Sequence, residues 1–554
     1  MNMDKKMKIL LVNPEVPNTF WSLKNALKFA SKKALLPPLG LLTVAAMLPE
    51  SFEKKLIDIN VVPLHDRDIK WADYVFISAM VVQKKSVDHI IERCKRLNVK
   101  IVAGGPLFTA FPEAYLNIDH LVLKEAEITL PAFLNDLEKG CPEPFYTTRE
   151  KPDLKDTPIP QLDLINMKKY AVMGIQYSRG CPFNCDFCDI TALFGHKVRT
   201  KTTSQIIDEL ENLYVHKWRG DVFFVDDNFI GKRQQLKNEL LPAIIEWMDK
   251  RKHPFAFNTQ TSIDLVDDEE LMTLMTRAGF DCVFIGIESP NEESLAECNK
   301  QQNTGRDIVA AIKKIQRFGM QVQAGFIIGF DSDKPGVFDK LISLIQDSGI
   351  VTAMVGLLNA PRGTKLYKKL MSENRLTKPP TGDNMDYTMN FIPKMDIHEL
   401  LNGYQKVLNT IYSQKHYCKR IKIFLENYNF SNTTRLKVRY CGIKAFFRSM
   451  WRIGMIEKGK IYYWMLIIWS LRNPRRLTLA VRLSIYGFHF RKMLEHINSQ
   501  MKELATISSN EYNSIDHEGR NRGQTLSYKL TLDSQFDLWY ALLNGSSVTY
   551  RVRY

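Results

Sequence analysis

The sequence predicts an α/β protein with three parts: an N-terminal Rossmann-like parallel sheet, a central partial (β/α)6 barrel of the TIM type, and a C-terminal helical domain. Short apolar runs alternate with stretches of helical periodicity as far as about residue 385, and a basic, aromatic-rich helical pattern follows. The length of 554 residues agrees with about three domains. With 45% apolar and 25% charged residues, the composition excludes wholesale disorder, a collagen-like chain and a polytopic membrane protein.

The first unit, residues 7–140, is predicted to be the Rossmann-like sheet. Its strands are separated by helical stretches, and such crossover connections make neighbouring strands parallel. The turn Gly104, Gly105, Pro106 follows the end of one strand, where open α/β sheets bind ligands. The predicted strands are 8–13, 55–61, 74–78 and 100–103, and the predicted helices are 39–47 and 87–97.

A polar segment with five prolines, residues 141–168, separates this unit from the next. Proline-rich polar stretches between periodic segments are typical of connections. We predict a plain linker.

The second unit, residues 169–385, contains six apolar strand patterns with helical patterns between most of them. Six β/α repeats are too few for an eight-fold barrel and indicate a partial one, in which functional residues are expected at the carboxyl ends of the strands. The predicted strands are 173–177, 221–225, 255–259, 282–287, 322–328 and 354–358.

Three cysteines, Cys181, Cys185 and Cys188, follow the first of these strands. Thiolates at this density bind zinc or an iron–sulfur cluster. Zinc completed by His196 is one interpretation, but structural zinc sites often use two separated cysteine pairs and the sequence has no second pair. A 4Fe–4S cluster with one open iron is favoured. A disulfide is not expected, because the nine cysteines are odd in number and unevenly spread.

Polar or glycine-rich residues follow the other strands of this unit. One such acidic residue caps the next helix about as often as it contacts a ligand, but the whole series favours ligand binding. A glycine there has its own structural explanation, because it permits tight turns and close backbone approach. The candidate residues are Asp226, Asp227, Asn228, Gln260, Glu288 and Gly325.

The Cys-x3-Cys-x2-Cys spacing, with Phe187 before the third cysteine, resembles the signature of the radical S-adenosylmethionine (SAM) superfamily. The resemblance implies that the open iron of the cluster chelates SAM and that one electron cleaves it to a 5'-deoxyadenosyl radical. It also implies that Phe187 and Gln260 belong to the SAM site and that residues 226–228 bind the methionine amino group. Glu288 is then expected near the ribose and Gly325 in the adenine cleft.

The order of an α/β unit, a short linker and this barrel resembles the cobalamin-binding class of radical SAM enzymes. Segments 37–42, 104–106, 125–127, 284–290 and 353–358 are similar to the subgroup that contains the hopanoid C-2 methylase, and the resemblance covers about residues 7–500. It implies methyl transfer from cobalamin to a carbon radical. The cobalamin contacts expected from it are Asn13, Ser78, Met80, Gly104, Gly105 and Pro106.

One feature departs from the methionine-synthase type of cobalamin domain. The Asp-x-His-x-x-Gly motif, whose histidine coordinates cobalt, is absent, and His65, His89 and His120 have other neighbours. If cobalamin binds, it is expected to bind base-off without a histidine ligand. The alternatives are a radical SAM enzyme without cobalamin that catalyses a non-methylation reaction and, in a different class, a non-enzymatic zinc protein associated with a membrane.

The third unit, residues 397–505, carries most of the net charge. Residues 419–500 contain 17 basic and three acidic residues, while the formal charge of the whole chain is +15. The apolar run 461–471 is shorter than the roughly 20 residues needed to span a bilayer. Two interpretations remain: a core helix with a solvated basic rim, or an interfacial patch with tryptophans at headgroup level beside Arg448, Arg452, Arg475 and Arg476. A lipid substrate would explain the second.

Further expectations concern partners and location. We expect a small-molecule substrate, with a lipid as one option, a flavodoxin- or ferredoxin-like electron donor and no nucleic acid, since no RNA-binding motif accompanies the charge. The cysteine usage predicts a reducing cytoplasm, with the inner face of the membrane as one location within it, and no export signal is recognised. Residues 506–554 are predicted to form a disordered tail, with a short ordered piece near 538–543.

Overall fold

The computed structural model of the chain describes residues 6–383, 385, 387–430 and 440–518. The N-terminal unit is a six-stranded parallel sheet in the order β2-β1-β3-β4-β5-β6. Its strands are β1 Lys8–Asn13, β2 Glu53–Asp58, β3 Tyr74–Ser78, β4 Lys100–Gly104, β5 His120–Val122 and β6 Phe145–Tyr146. Its helices are α1 Lys24–Leu27, α2 Leu39–Met47, α3 Asp66–Trp71, α4 Lys84–Arg96, α5 Pro106–Ala110 and α6 Ala126–Glu138.

Helices cover both faces of this sheet, because its central strands are apolar on both sides. Residues 9–12 of β1 are completely buried, with Leu10 and Val12 in one hydrophobic cluster and Ile9 and Leu11 in another. The four predicted strands and two predicted helices are confirmed, with shifts of a few residues. The sequence analysis missed β5 and β6, which have three and two residues and are too short to show a periodic pattern.

The predicted linker, residues 141–168, is not a simple exposed connection, because it packs against both units. β6 lies within residues 141–168 and adds an edge strand to the first sheet. Leu154 is fully buried, and the Gln205 side chain donates hydrogen bonds to the carbonyls of residues 154, 155 and 157. The segment therefore connects the two units through buried contacts.

The second unit contains the predicted partial barrel, a six-stranded parallel sheet whose strands lie side by side in chain order. These strands are β7 Met173–Ile175, β10 Asp221–Phe224, β11 Ala256–Thr261, β12 Phe280–Glu288, β13 Gln321–Ile328 and β14 Ala353–Leu357. A small antiparallel hairpin, β8 Ser178–Arg179 with β9 Arg199–Thr200, follows β7. The helices are α7 Ile190–Phe194, α8 Thr203–Val215, α9 Arg233–Gln235, α10 Leu241–Lys250, α11 Glu269–Ala278, α12 Glu292–Glu297, α13 Ile308–Arg317, α14 Val337–Ser348 and α15 Lys365–Ser372.

The two faces of the barrel strands differ in burial. Val283, Ile285 and Ile287 of β12 are completely buried, as expected for the face that packs against helices. Phe284 and Met354 lie on the other face and are only half-buried. They share it with Gly325, where an added Cβ would lie 3.0 Å from Phe284 Cζ and 3.6 Å from Met354 Cε. This second face is the interior of the barrel.

The third unit consists of α16 Ile397–Ile411, α17 Gln414–Asn427, α18 Tyr440–Trp451, α19 Lys460–Ser470 and α20 Pro474–Glu518. The first two helices share the hydrophobic core of the barrel, and the Tyr404 hydroxyl donates to the Val355 carbonyl at 2.9 Å. Because α20 continues to residue 518, the first part of the predicted tail 506–554 is helical. Residues 519–554, including the predicted ordered piece at 538–543, lie outside the described residues.

The basic charge of this unit lies only partly on the surface. Arg420 is completely buried and donates to the Gln346 side chain at 2.6 Å. Arg491 and Lys492 lie beside Glu457. Within the described part of the chain, none of the helices combines the length and the apolarity that crossing a membrane requires.

Candidate active site

The three predicted cluster ligands lie on one loop, the cysteine loop (residues 180–189), between β8 and α7. Cys181, Cys185 and Cys188 are all half-buried. Burial raises the pKa of each thiol, that of Cys188 to about 12. In the metal-free chain the thiols are therefore protonated at neutral pH, and metal binding would release their protons.

The donor set agrees better with a cluster than with zinc. In a 4Fe–4S cluster each cysteine ligates a different iron, whereas ligands of zinc must converge on one ion. Among the described residues, no group of three or more His, Cys, Asp or Glu side chains is arranged to hold a single metal ion. His196, the fourth ligand of the zinc interpretation, is exposed.

A segment after α12, residues 298–303, packs against the cysteine loop and was missed by the sequence analysis. Asn299 donates to the Asn184 carbonyl at 3.0 Å, and the Cys298 carbonyl accepts from the Asp186 amide at 3.0 Å. Gln302 Nε2 lies 3.9 Å from Cys185 Sγ. The only sequence signal was a run of polar residues, Asn299–Asn303, after a strand end and a short helix.

Glu288, at the end of β12, is held in an unusual conformation. Its φ is +67°, a left-handed value that non-glycine residues rarely adopt. Lys300 Nζ lies 2.8 Å from Glu288 Oε1, and an added Cβ on Gly286 would lie 2.3 Å from the same oxygen. The carboxylate therefore folds back over Gly286, where an added side chain would displace it, and it faces the barrel end beside the cysteine loop.

Asp226 and Asp227 hold the start of the cysteine loop. Asp226 is completely buried and accepts hydrogen bonds from the Ser178 hydroxyl at 2.5 Å, the Tyr177 amide at 3.2 Å and the Ser178 amide. Asp227 accepts from the Gly180 amide at 3.3 Å. Burial raises their pKa values to about 7 and about 6. In the described structure all hydrogen bonds of Asp226 go to residues 177 and 178, directly before the loop, so it positions this part of the chain and its expected contact with SAM stays a prediction.

The other predicted SAM residues surround the barrel end. Asn228 donates to Ser262 at 3.3 Å, and among the described residues its buried Oδ1 has no hydrogen-bond partner. Gln260 is half-buried in β11, and Gly325 lies on the interior face of β13. The Phe187 ring lies 6.4 Å from that of Phe330. The unpartnered amide oxygen of Asn228 is free to accept from a ligand.

A cavity of about 300 Å³ lies between the first sheet and the barrel. Four of the predicted cobalamin contacts line it: Ser78, Gly104, Gly105 and Pro106. Gln176, Arg179, Phe194 and Val225 line its other side. Most of its walls are apolar and glycines form one edge, so these residues suit a large, flat cofactor placed between the two units.

The remaining two predicted cobalamin contacts lie elsewhere. The side chain of Asn13 donates to Asp58 at 3.0 Å, and Met80 is 60% exposed. Open α/β sheets commonly bind ligands where the strand order reverses, here between β1 and β3. The cavity instead lies beyond the ends of β3 and β4, and neither Asn13 nor Met80 lines it, so their expected contacts with cobalamin stay predictions.

Four charged side chains form an interdomain ion-pair network (Glu125, Glu127, Arg179, Arg199). The two arginines lie directly opposite each other on the β8–β9 hairpin, whose strands flank the cysteine loop. Glu125 accepts from Arg179 at 2.8 Å and from Arg199 at 2.9 and 3.0 Å, and Glu127 accepts from Arg179 at 2.8 and 3.1 Å. Both carboxylates come from the first unit, at the start of α6.

The network is buried and charged. The side chains of Glu125 and Glu127 are 4% exposed. Burial alone would raise the pKa of Glu127, but its hydrogen bonds and charge contact with Arg179 hold it below the usual value. The hairpin that carries the cysteine loop is therefore fixed to the first unit.

Three known families match the chain. Residues 175–345 match the Radical SAM superfamily, residues 29–134 match the B12 binding domain, and residues 364–503 match a domain of unknown function (DUF4070). The first two matches fall on the barrel and the first sheet. The third covers the end of the barrel and most of the helical unit.

The relatives that cover most of the chain include two that are at least 30% identical to it. An uncharacterized methyltransferase of Synechocystis is 39% identical over 503 residues, which is 90% of this chain and 94% of that protein. The hopanoid C-2 methylase of Rhodopseudomonas palustris is 32% identical over 390 residues, 70% of this chain and 73% of that protein.

The solved structures with a similar fold include OxsB and TsrM. The cobalamin-dependent SAM radical enzyme OxsB, with aqua-cobalamin and SAM bound, has a TM-score of 0.57 at 17% identity and covers 98% of this chain and 85% of its own. The radical SAM methyltransferase TsrM of Kitasatospora setae, with cobalamin and a [4Fe-4S] cluster bound, has a TM-score of 0.53 at 17% identity. That match covers 67% of this chain and 78% of that one.

Proposed function

The chain belongs to the radical SAM enzymes that carry a B12-binding domain, in the subgroup that contains the hopanoid C-2 methylase, and from this premise we propose that it methylates a carbon of an apolar, lipid-like substrate. The reaction type of this enzyme is cobalamin-dependent radical methylation. The cofactors expected from the sequence, a 4Fe–4S cluster, SAM and cobalamin, are confirmed. When bound, they supply a carbon-centred radical and a methyl group. The alternative without cobalamin does not agree with the B12-binding domain.

The proposed cluster ligands are Cys181, Cys185 and Cys188. Their support is the shared loop and the start of that loop, which Asp226 and Asp227 hold through backbone amides. The segment 298–303 contacts the loop from the other side. Backbone contacts on both sides limit how far the cysteine loop can move, which would help to preorganise the three thiolates for a cluster.

The proposed SAM contacts are Phe187, Asp227, Asn228, Gln260, Glu288 and Gly325. Asn228 offers an unpartnered amide oxygen, and Glu288 offers a carboxylate that Lys300 positions at 2.8 Å. Gly325 leaves room for close approach to the strand. We assign Asp226 to positioning the loop.

For cobalamin, the proposed contacts are Ser78, Gly104, Gly105 and Pro106. Gly104 and Gly105 have no space for side chains, since a Cβ would lie 2.5 Å from the Val122 carbonyl oxygen and 2.7 Å from Ser78 Oγ. The backbone at the strand ends is therefore directly exposed to the interdomain cavity. Its opposite wall includes Arg179 at the base of the cysteine loop, which would bring cobalamin near the cluster.

The proposal of an apolar substrate rests on one part of the barrel interior, beside Gln260 and Gln323, which share the face of Phe284 by strand pairing. Phe284, Ile327 and Met354 are half-buried on the strands of the sheet. Trp21 of the first unit packs edge-on against Phe284, with ring centroids 5.3 Å apart. These side chains provide an apolar surface next to the proposed SAM site, and such a surface favours a hydrocarbon skeleton over a charged metabolite.

The proposal includes a partner and a place in the cell. Reduction of the cluster requires an external electron donor, which we propose to be flavodoxin- or ferredoxin-like. We place the enzyme in the cytoplasm, at the inner face of the membrane, where a lipid-like substrate is accessible. No nucleic-acid partner is proposed.

The substrate class can be tested with isotope-labelled SAM. The reconstituted enzyme is incubated anaerobically with a reductant, SAM carrying a trideuterated methyl group, and either the lipid extract or the water-soluble extract of cells that lack the enzyme. We expect a product heavier by one trideuterated methyl group in the lipid extract alone. Labelling only in the water-soluble extract would contradict the lipid-like substrate and leave the methylation itself standing.

A further inference from the structure

The C-terminal helices expose an unusual amount of apolar surface. Of the 17 large hydrophobic residues that are exposed among the described residues, nine lie between residues 443 and 471. They are Ile443, Phe447, Trp451, Met455, Ile456, Ile461, Met465, Ile468 and Leu471. Isolated exposed apolar residues are normal, but a concentration in one short region indicates an interaction surface.

These residues follow helical spacing on two neighbouring helices. On α19, Ile461, Met465 and Ile468 form one stripe, and they are 63%, 53% and 64% exposed. Tyr463, Leu466 and Ile467 are buried on the opposite side of the helix. Since α19 is apolar all round, it would be expected inside the protein, yet half of it faces outward.

Exposed basic residues surround the stripes. Between residues 440 and 476 they are Lys444, Arg448, Arg452, Lys458, Lys460, Arg472 and Arg475. The only acidic residue of this segment is Glu457, whose side chain is 10% exposed and lies beside Arg491 and Lys492. The outward charge of this surface is therefore entirely positive.

The surface is held in place by specific contacts. Ser449 and Tyr463 share a hydrogen bond at 2.8 Å between α18 and α19, and Trp464 Nε1 donates to the Gly454 carbonyl at 2.9 Å. Arg448 donates to the carbonyls of Lys28 and Phe29 at 3.0 and 2.9 Å, which joins α18 to the first unit. The apolar stripes thus belong to a preformed surface and not to a frayed end.

We propose that α18, the short π-helix Arg452–Ile456 that follows it and α19 form a docking surface for a bilayer that contains anionic phospholipids. Lipid headgroups supply the negative charge that the basic residues require, and the acyl boundary accepts the apolar stripes. A second copy of the chain is a poorer partner, because a symmetric contact would bring two positive surfaces together. All of this surface lies within the segment matched as a domain of unknown function.

This surface is separate from the proposed reaction. None of its residues contributes to the cysteine loop or to the interdomain cavity. Lipid binding can therefore be measured without SAM or substrate, and it can fail while methylation succeeds.

Sedimentation of the full-length holoprotein with vesicles tests the proposal. We expect pelleting with phosphatidylglycerol-containing vesicles at low salt, weaker pelleting at high salt, and little with pure phosphatidylcholine. Changing Ile461→Asn, Met465→Gln and Ile468→Asn together should lower the partition coefficient at least tenfold. The matched control, Leu116→Asn, Met371→Gln and Val215→Asn, changes three residues that are 72%, 56% and 65% exposed elsewhere and should have no effect.

The basic residues need a separate variant. Lys458→Gln, Lys460→Gln and Arg472→Gln should lower binding to anionic vesicles roughly hundredfold, at about 1 kcal/mol per residue. Arg448 and Arg475 are unsuitable because they donate to backbone carbonyls. Cobalt and iron content should be unchanged in all variants. The proposal would be overturned if the wild-type protein did not pellet with vesicles, or if the apolar variant and its control pelleted equally. It would also be overturned if the wild-type protein were a dimer in solution and the apolar variant a monomer.

Discussion

Replacing Glu125 with glutamine should loosen the hairpin that carries the cysteine loop. Glutamine keeps the shape of the side chain and removes its charge. Glu125 forms ion pairs with both arginines of the hairpin, whereas Glu127 pairs with Arg179 and not with Arg199. After the change, Arg179 keeps Glu127, but Arg199 loses the one carboxylate with which it pairs among the described residues.

The size of the effect follows from burial. Removing one partner of a buried ion pair costs about 3–5 kcal/mol, because the other charge stays buried and uncompensated. We expect a cost at the lower end of this range, because Arg199 keeps hydrogen bonds to the carbonyls of Pro152 at 2.8 Å and Phe194 at 3.2 Å. A loss of about 3 kcal/mol changes the equilibrium between docked and undocked hairpin roughly hundredfold.

The assay is the rate at which an iron chelator removes the cluster from anaerobic, reconstituted protein. If the chelator reaches the cluster only in the undocked state, the Glu125→Gln variant should lose iron roughly hundredfold faster than the unchanged protein. The control is Asp267→Asn, which breaks the ion pair between Asp267 and Arg306. The carboxylate oxygen and the guanidinium nitrogen of this pair are 2.6 Å apart, and the Asp267 side chain is 50% exposed. Exposed pairs contribute less than about 1 kcal/mol. Equal rates for the two variants would refute the reasoning.

Three further predictions concern the cluster, the cobalamin cavity and pH. Changing the three cysteines of the cysteine loop to alanine should abolish bound iron and reductive cleavage of SAM, while Cys298→Ala should retain both; cleavage by the triple variant would contradict the assignment. Gly105→Ala should reduce bound cobalt, because Gly105 has φ +89° and no space for Cβ, whereas Gly140→Ala, at φ +78° in open space, should not. Burial lowers the pKa of His489 to about 4. Between pH 6.5 and pH 4 only the unfolded chain takes up a proton at this histidine. The protein should therefore lose about 3 kcal/mol of folding stability over this range relative to the His489→Gln variant. Melting temperatures of the two proteins that changed in parallel with pH would contradict this.

Local patterns in the sequence were enough to predict much of the fold. Runs such as residues 9–12 are apolar at every position, which identifies central strands of a parallel sheet without any knowledge of their partners. The cysteine loop was equally visible, because its three cysteines lie within eight residues. The edge strand β6 was not, since its two residues become a strand only by pairing with β5.

The parts of the site that escaped prediction depend on contacts between distant residues. Glu125 and Arg199 are 74 positions apart, and Gln302 and Cys185 are 117 apart. Asp226 was predicted to contact a ligand, yet it is buried beneath the loop that it holds, and a strand-end carboxylate has the same sequence pattern in either role. Asn13 likewise directs its side chain to Asp58 rather than into the cavity.

Cobalamin-dependent methyl transfer is the central claim, and one measurement tests it most directly. The anaerobically purified protein is divided into a cobalamin-loaded and a cobalamin-free sample with equal iron content, and each receives reductant, labelled SAM and the lipid extract. We predict that labelled methyl reaches the lipid only in the loaded sample. Equal methyl transfer by the cobalamin-free protein would contradict the account.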